Sequence, residues 1–411
     1  MTKFRFALLL GALLIQGTSS AQSPKENLAL SAEQWRTDVQ FIHHELPKLH
    51  KNAFHTVTNL QFTIAIAELD ARIPLLNTDE IVVGLLRVVA MIGDAHTSLR
   101  PPKAFQWYPI GLYQFGKELR VLRTAPEYKH LLGLRVVRVG KTDIAAAYQQ
   151  AQRLIPAENE WFLKEEVPAW LVSPNVLRGL GLIGKDAAAP FTFADDKGKR
   201  ITPALTTGAL EAKRDWVYPS AEPLRHFQKP DEDFWFTPLD DGWTVYANWR
   251  GYFGMAEQRS KELLGYLDSH PVKRLVLDLR ANGGGNFLRG RRFIAELKKR
   301  PALAQRGAVF VLIGRRTGSA AVVNAMDLRR DLQAILVGEP TGEKPNTYGD
   351  LKLMTLPNSG LVLGYSSNYY KFQDKEEPGV MPDRLIEPTW ADYQIGRDAA
   401  LEWIISYQMN K

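Results

Sequence analysis

Three short segments of the chain place small and polar residues just where a strand should end. They are Gly93-Asp94-Ala95-His96-Thr97-Ser98, Leu277-Asp278-Leu279-Arg280-Ala281-Asn282-Gly283-Gly284-Gly285 and Thr317-Gly318-Ser319-Ala320-Ala321. Residues 282–285 have too much backbone freedom for the middle of a strand or a helix, and consecutive glycines let amide N–H groups approach a ligand closely. Such a turn can cradle an oxyanion or a phosphate, because both want unobstructed amide donors. The Lys-Ser/Thr ending that a phosphate loop requires is missing from "NGGGNF". A plain glycine turn is the structural alternative. Ser319 follows Gly318 at a strand-to-helix junction, where the helix dipole stabilises an alkoxide or oxyanion. An N-cap serine occupies the same place, and the surroundings are not a Gly-x-Ser-x-Gly elbow.

These segments need an α/β frame. From Trp243 onward, strand-like runs ("WTVYANW", "RLVLDLRA", "AVFVLIG", "AILVGE") alternate with helix-like ones ("FLRGRRFIAELKK", "SAAVVNAMDLRRDL"). Residues 31–93 space their apolar residues three and four apart, and Ser31 with Gln34 makes a capping box, so this stretch predicts helices. His43, His44 and His50 lie there without metal-ligand spacing, and Pro47 is expected to interrupt the helix between them, so they read as surface or packing residues. The middle of the chain mixes short β-like runs with irregular polar stretches. Near the end, "LKLMTLPNSGLVLGYSSNYYKF" predicts a hairpin turning at Pro357-Asn358-Ser359-Gly360. The expected organisation is a helical domain over 22–104, a β-rich module with connections over 105–235 and an α/β core over 236–411.

Lys3 and Arg5, the apolar run 6–15 and the small-residue exit Ser19-Ser20-Ala21 predict a secretory signal peptide over 1–21. The mature protein is then expected in a periplasm or outside the cell, with no integral membrane segment. The chain has no cysteine, which excludes disulfides, thiolate chemistry and lipid attachment through a lipobox. The 52 Lys and Arg exceed the 45 Asp and Glu only mildly and form no basic block, which argues against a nucleic-acid partner.

Taken in order, "GDAHTSL", "LDLRANGGG", "GSAA", "ILVGEPTG" and "GVMPD" closely resemble the tail-specific (C-terminal processing) serine peptidases, over residues 90–385 or so. That family also includes the tricorn-type peptidases and the interphotoreceptor retinoid-binding protein domains. The resemblance implies a helical start, a β module in the place of a PDZ domain, and a core of the ClpP/crotonase type. It implies that Ser319 is the nucleophile and that Gly283, Gly284 and the amide of Ala320 form the oxyanion hole. Two general bases remain open. Lys344 matches the lysine of the serine–lysine dyad, although Glu343 beside it favours the charged form and Tyr348 stands where dyad enzymes have a supporting glutamine. His96 matches the tricorn-type histidine, with Glu377 or Glu376 as the orienting acid, although Ala95 replaces a serine. Asp94 and Arg280 read as braces for the turns, and Asp278 as a satisfied polar residue.

The function expected is an exported serine peptidase that cleaves peptides or proteins through an acyl-enzyme, with no metal or organic cofactor. The alternative on the same fold is a catalytically idle binding protein for an apolar ligand or a peptide, as the retinoid-binding resemblance and Val322, in a place where many members have glutamate, suggest. An esterase or other acyl hydrolase would use the same residues. The sequence sets no oligomeric state.

Overall fold

The structure, a computed structural model, describes residues 26–185, 188–209, 215–220 and 223–408. The expected signal peptide lies outside the described residues. The frame of the molecule is a six-stranded sheet in the order Phe234–Pro238, Thr244–Trp249, Arg274–Asp278, Val309–Ile313, Ile335–Gly338, Arg384–Leu385. The first pair is antiparallel and the rest are parallel, with Leu277 opposite Val311 and Val311 opposite Leu336. The three central parallel strands are buried along their whole length, which is why they read as unbroken apolar runs. Alternate residues go to opposite faces. Leu275, Leu277, Val309, Val311 and Leu336 pack under helices Ala256–Ser269, Phe287–Leu297 and Ala320–Leu332, while Val276, Phe310, Leu312 and Val337 pack against helix Ala399–Ser406.

A second core joins the front of the chain to one hairpin from its end. Helices Ala32–Leu49, Asn59–Arg72 and Thr78–Ala90 each open with a capping box, on Ser31 with Gln34, Thr58 with Gln61 and Asn77 with Glu80. Their apolar stripes, from Trp35 and Ile42 to Leu85 and Val89, meet the middle module and the hairpin residues Met354, Leu356, Leu361 and Leu363. The first helix runs through Pro47 to Leu49 instead of stopping before it. A proline in the last turn removes only one hydrogen bond near an end that is already short of partners. The middle module is an antiparallel sheet of strands Ile110–Phe115, Glu118–Thr124, Arg135–Val139, Phe191–Ala194 and Arg200–Ile201, with helices Ile144–Ala151, Glu160–Trp170 and Pro174–Gly179 inserted before its last two strands. Strands Thr347–Thr355 and Val362–Tyr370 form the hairpin, and its turn contains Gly360 at φ 67°.

The hairpin turn is held to the first helix by one buried carboxylate. Asp38 accepts hydrogen bonds from the amides of Asn358 (2.9 Å) and Ser359 (2.8 Å) and from Asn358 Nδ2 (3.0 Å). Deleting it strands two amide donors at a closed interface. Asp38→Ala is expected to lower the unfolding free energy by about 2–4 kcal/mol, read from urea denaturation, whereas a change below about 0.5 kcal/mol would mean the tie contributes nothing.

Candidate active site

All three segments singled out by chemistry meet at the carboxyl ends of the parallel strands. The glycine turn follows Arg274–Asp278, the Ser319 turn follows Val309–Ile313, and the loop with Glu343 and Lys344 follows Ile335–Gly338. This is the edge where open α/β sheets place ligands. Hydrogen bonds weld the turns together. Thr317 Oγ1 donates to Leu279 O (2.8 Å) and accepts from Gly314 N (3.0 Å), and Gly318 N donates to Asn282 O (3.0 Å). The fit leaves no room for side chains at two glycines. A Cβ on Gly284, which sits at φ 108°, would meet Ser319 Cβ at 2.6 Å, and one on Gly318 would meet Glu343 Oε1 at 2.6 Å.

Ser319 stands at the N-terminus of helix Ala320–Leu332, but its side chain caps nothing. Its backbone takes φ 48° and ψ −122°, a conformation an L-residue adopts only at a cost of about 1–3 kcal/mol. The strained backbone is anchored where Ser319 N–H donates to Glu343 Oε2 at 2.8 Å. The freed hydroxyl lies 3.1 Å from His96 Nε2. Both residues are only partly buried, so the pair is reachable. With Nε2 as acceptor for the Ser319 hydroxyl, Nδ1 carries the proton, and it is buried with no hydrogen-bond partner among the described residues.

Two backbone amides in these turns are uncommitted. The N–H groups of Gly283 and Ala320 make no hydrogen bond among the described residues, and Gly283 is exposed. The amide of Gly284 is taken, donating to Asn282 Oδ1 at 2.9 Å.

Three carboxylates surround this pair. Asp94 Oδ1 accepts from His96 N (3.2 Å) and Ser366 Oγ (2.6 Å), and its Oδ2 accepts from the buried His50 Nε2 (2.8 Å). His50 Nδ1 accepts from the amide of Asn52, which puts the proton on Nε2. Glu158 accepts from the amides of Ala95 (3.3 Å) and Lys344 (2.9 Å) and from Thr347 Oγ1 (3.0 Å), so it bridges the histidine segment to the loop 341–347. Glu343 holds Ser319.

Burial opposes charge on His96, yet Glu343, Asp94 and Glu158 outweigh it and raise its pKa above the ordinary histidine value. Burial together with the charge of Glu343 lifts Glu158 to about 7, and burial raises Glu343 against the pull of His96 and the Ser319 amide. Asp94 goes the other way. Burial pushes it up, but hydrogen bonds from His50 and Ser366 win and lower it.

The remaining expected site residues stand apart. Lys344 contributes its amide to Glu158, but its ammonium makes no hydrogen bond or ion pair among the described residues. Its charge is felt at His55. Glu377 is engaged by Lys375 Nζ (2.9 Å) and Gln373 Nε2 (3.2 Å), and Glu376 accepts from Asn346 Nδ2 (2.8 Å); neither is joined to His96. The loop bearing them is nonetheless tied to the site, since Val380 N donates to Thr341 Oγ1 (2.8 Å) and Asn159 Nδ2 donates to Thr341 O (3.1 Å) and Pro378 O (2.6 Å). Glu158 and His50 were not expected from the sequence. Arg280 does brace its turn, bridging Asp278 (2.6 Å) and Asp398 (2.7 Å).

The fold is a mixed α/β architecture of several sheets and helices, shared with solved structures. Mature CPAF in complex with lactacystin matches over 91% of this chain and 97% of its own, at a TM-score of 0.62 and 10% identity. Mature CPAF alone matches over 91% and 96%, at 0.61 and 11%. A weaker likeness, at a TM-score of 0.41 and 16% identity over 90% and 99%, is to the photosystem II D1 C-terminal processing protease. No family model and no curated protein sequence matches the chain.

The carboxylate ring makes a prediction about His96. Its imidazole is expected to titrate above the ordinary value near 6.5, and Glu343→Gln is expected to move the midpoint down, followed by NMR of labelled histidine. A midpoint unchanged by Glu343→Gln would show that Glu343 does not set the charge of His96.

Proposed function

We propose that this protein is a serine peptidase that cleaves peptide bonds through an acyl-enzyme on Ser319. The observation that carries the reading is the hydroxyl of Ser319 within 3.1 Å of His96 Nε2, at a helix N-terminus flanked by two unused amides. Ser319 Oγ attacks the scissile carbonyl as His96 Nε2 takes its proton. The negative charge that develops on the carbonyl oxygen is received by the amides of Ala320 and Gly283, in the field of the helix dipole. The imidazolium formed on His96 lies among Glu343, Asp94 and Glu158, which stabilise it. It returns its proton to the leaving amine, and water then attacks the acyl-enzyme with His96 again as base. In this reading Gly284 shapes the turn and Lys344 is a loop residue, not the base. Glu377 has no role in orienting His96.

The finer parts of the reading go with it: a core of the ClpP/crotonase type, a preference for peptide or protein substrates, no cofactor, and export guided by residues 1–21. A second reading is supported by one feature. Among the described residues His96 Nδ1 has no partner to fix the ring, as an orienting acid would, and an idle site that binds an apolar ligand or peptide would need none. Labelling by a fluorophosphonate separates the two.

Wild-type protein is expected to label at Ser319, with a rate that rises with pH as His96 loses its proton and levels above its raised pKa. Ser319→Ala should abolish labelling, His96→Ala should slow it at least about a hundred-fold, and Lys344→Ala should leave it within about two-fold. Labelling lost in Lys344→Ala but kept in His96→Ala would transfer the role of base to the lysine. Absence of labelling in folded wild type across the pH range would favour the binding protein.

A further inference from the structure

A cavity lies at the same edge of the main sheet and has no part in the chemistry above. Its volume is 190 Å³. The loop 314–316, just ahead of the Ser319 turn, forms one wall. Helix Glu160–Trp170 brings Glu165 and Glu166 to it, and Tyr113, Phe227 and Tyr393 bring aromatic rings.

The cavity is rich in both signs of charge, but the charges are not equally matched. Arg280 bridges Asp278 and Asp398, and Arg315 pairs with Glu339 at 2.7 Å and donates to Gln114 O. Arg397 pairs with Asp392 and Glu402, and the guanidinium of Arg123 stacks over Trp216 at 4.7 Å. Arg316 is engaged as well. Glu165 and Glu166, by contrast, accept no hydrogen bond and form no ion pair among the described residues. Glu166 is part-buried in the wall of the cavity.

Burial, with Glu165 beside it, raises Glu166 to about 8, and the charge of Arg316 opposes this only in part. A carboxyl group in this position gains most from a cation that arrives with its own hydrogen-bond donors. The volume fits one side-chain-sized group. It lies below the roughly 300 Å³ at which pockets for whole drug-sized ligands begin.

We propose that this cavity is a binding site for a cationic group, a guanidinium or primary ammonium on an aliphatic stem, held by Glu166 and Glu165 against the Tyr113 and Tyr393 wall. The inference rests on the cavity alone and stands whether or not Ser319 is a nucleophile. The group can belong to a free amine or to a basic side chain of a peptide.

Isothermal titration of the whole protein with two probes, agmatine and the capped peptide acetyl-Gly-Arg-Gly-amide, tests it at about pH 6.5 and about pH 9. Because the bound cation requires Glu166 ionised, affinity should be about thirty-fold higher at the upper pH. Glu166→Gln, which replaces the carboxylate by a neutral amide of the same shape, should weaken binding at pH 9 at least ten-fold and flatten the pH dependence. Thermal melts check that the variant is folded, and Glu165→Gln should give a smaller loss in the same direction. Binding of agmatine alone assigns the site to a free amine, and binding of the peptide assigns it to a basic side chain. Failure of both probes to bind wild type at pH 9, or equal binding by folded Glu166→Gln, overturns the proposal.

Discussion

The site depends on one hydrogen bond, from the amide of Ser319 to the buried carboxylate of Glu343. Ser319 holds a backbone conformation that it would leave if unsupported, and the helix behind it supplies no side-chain cap. Glu343 supplies the missing partner. A carboxylate at a helix N-terminus is stabilised by the dipole, which offsets part of the cost of burying it. The same contact positions the hydroxyl. Freed from capping, it turns towards His96, so a constraint on the backbone sets the contact between the two side chains.

Glu343 holds Ser319 in place only because its own loop is fixed. Thr341 Oγ1 donates to Glu343 O and accepts from the amide of Val380, while Glu158 holds the next residue by its amide. Glu158 also holds Ala95, and Asp94 holds His96. Two carboxylates, each serving several donors, therefore set the distance between the histidine segment and the serine turn, although the segments are 223 residues apart and lie on different cores. Groups that bind by several hydrogen bonds at once tolerate little displacement. This is how a site can be rigid while built entirely from loops.

The parts legible in the sequence were those that repeat a local rule. Buried parallel strands gave continuous apolar runs, and Ser31 with Gln34 gave a capping box. The glycine turn marked a close approach that Gly284 makes against Ser319. The parts that were not legible depend on tertiary company. Glu158 sits in the irregular stretch "IPAENEW", where nothing local distinguishes it from a solvated acid. Glu343 read as a neighbour of Lys344, but its side chain reaches Ser319. His50 read as a packing residue, and its burial against Asp94 follows only once the first helix docks on the hairpin. The helix passing Pro47 shows the same limit from the other side, since a local breaker matters little in a final turn.

The electrostatics of the site also weigh the two bases against each other. A lysine base must lose its proton near neutral pH, which takes burial away from negative charge or the company of other cations. The ring of Asp94, Glu158 and Glu343 does the opposite and holds a proton on any cation inside it. For lysine, whose ordinary pKa is near 10.4, such a ring leaves almost no neutral amine. For histidine it raises a value that begins near 6.5 and favours the imidazolium. The environment that would disable an ammonium held inside the ring favours the charged form of the His96 imidazole.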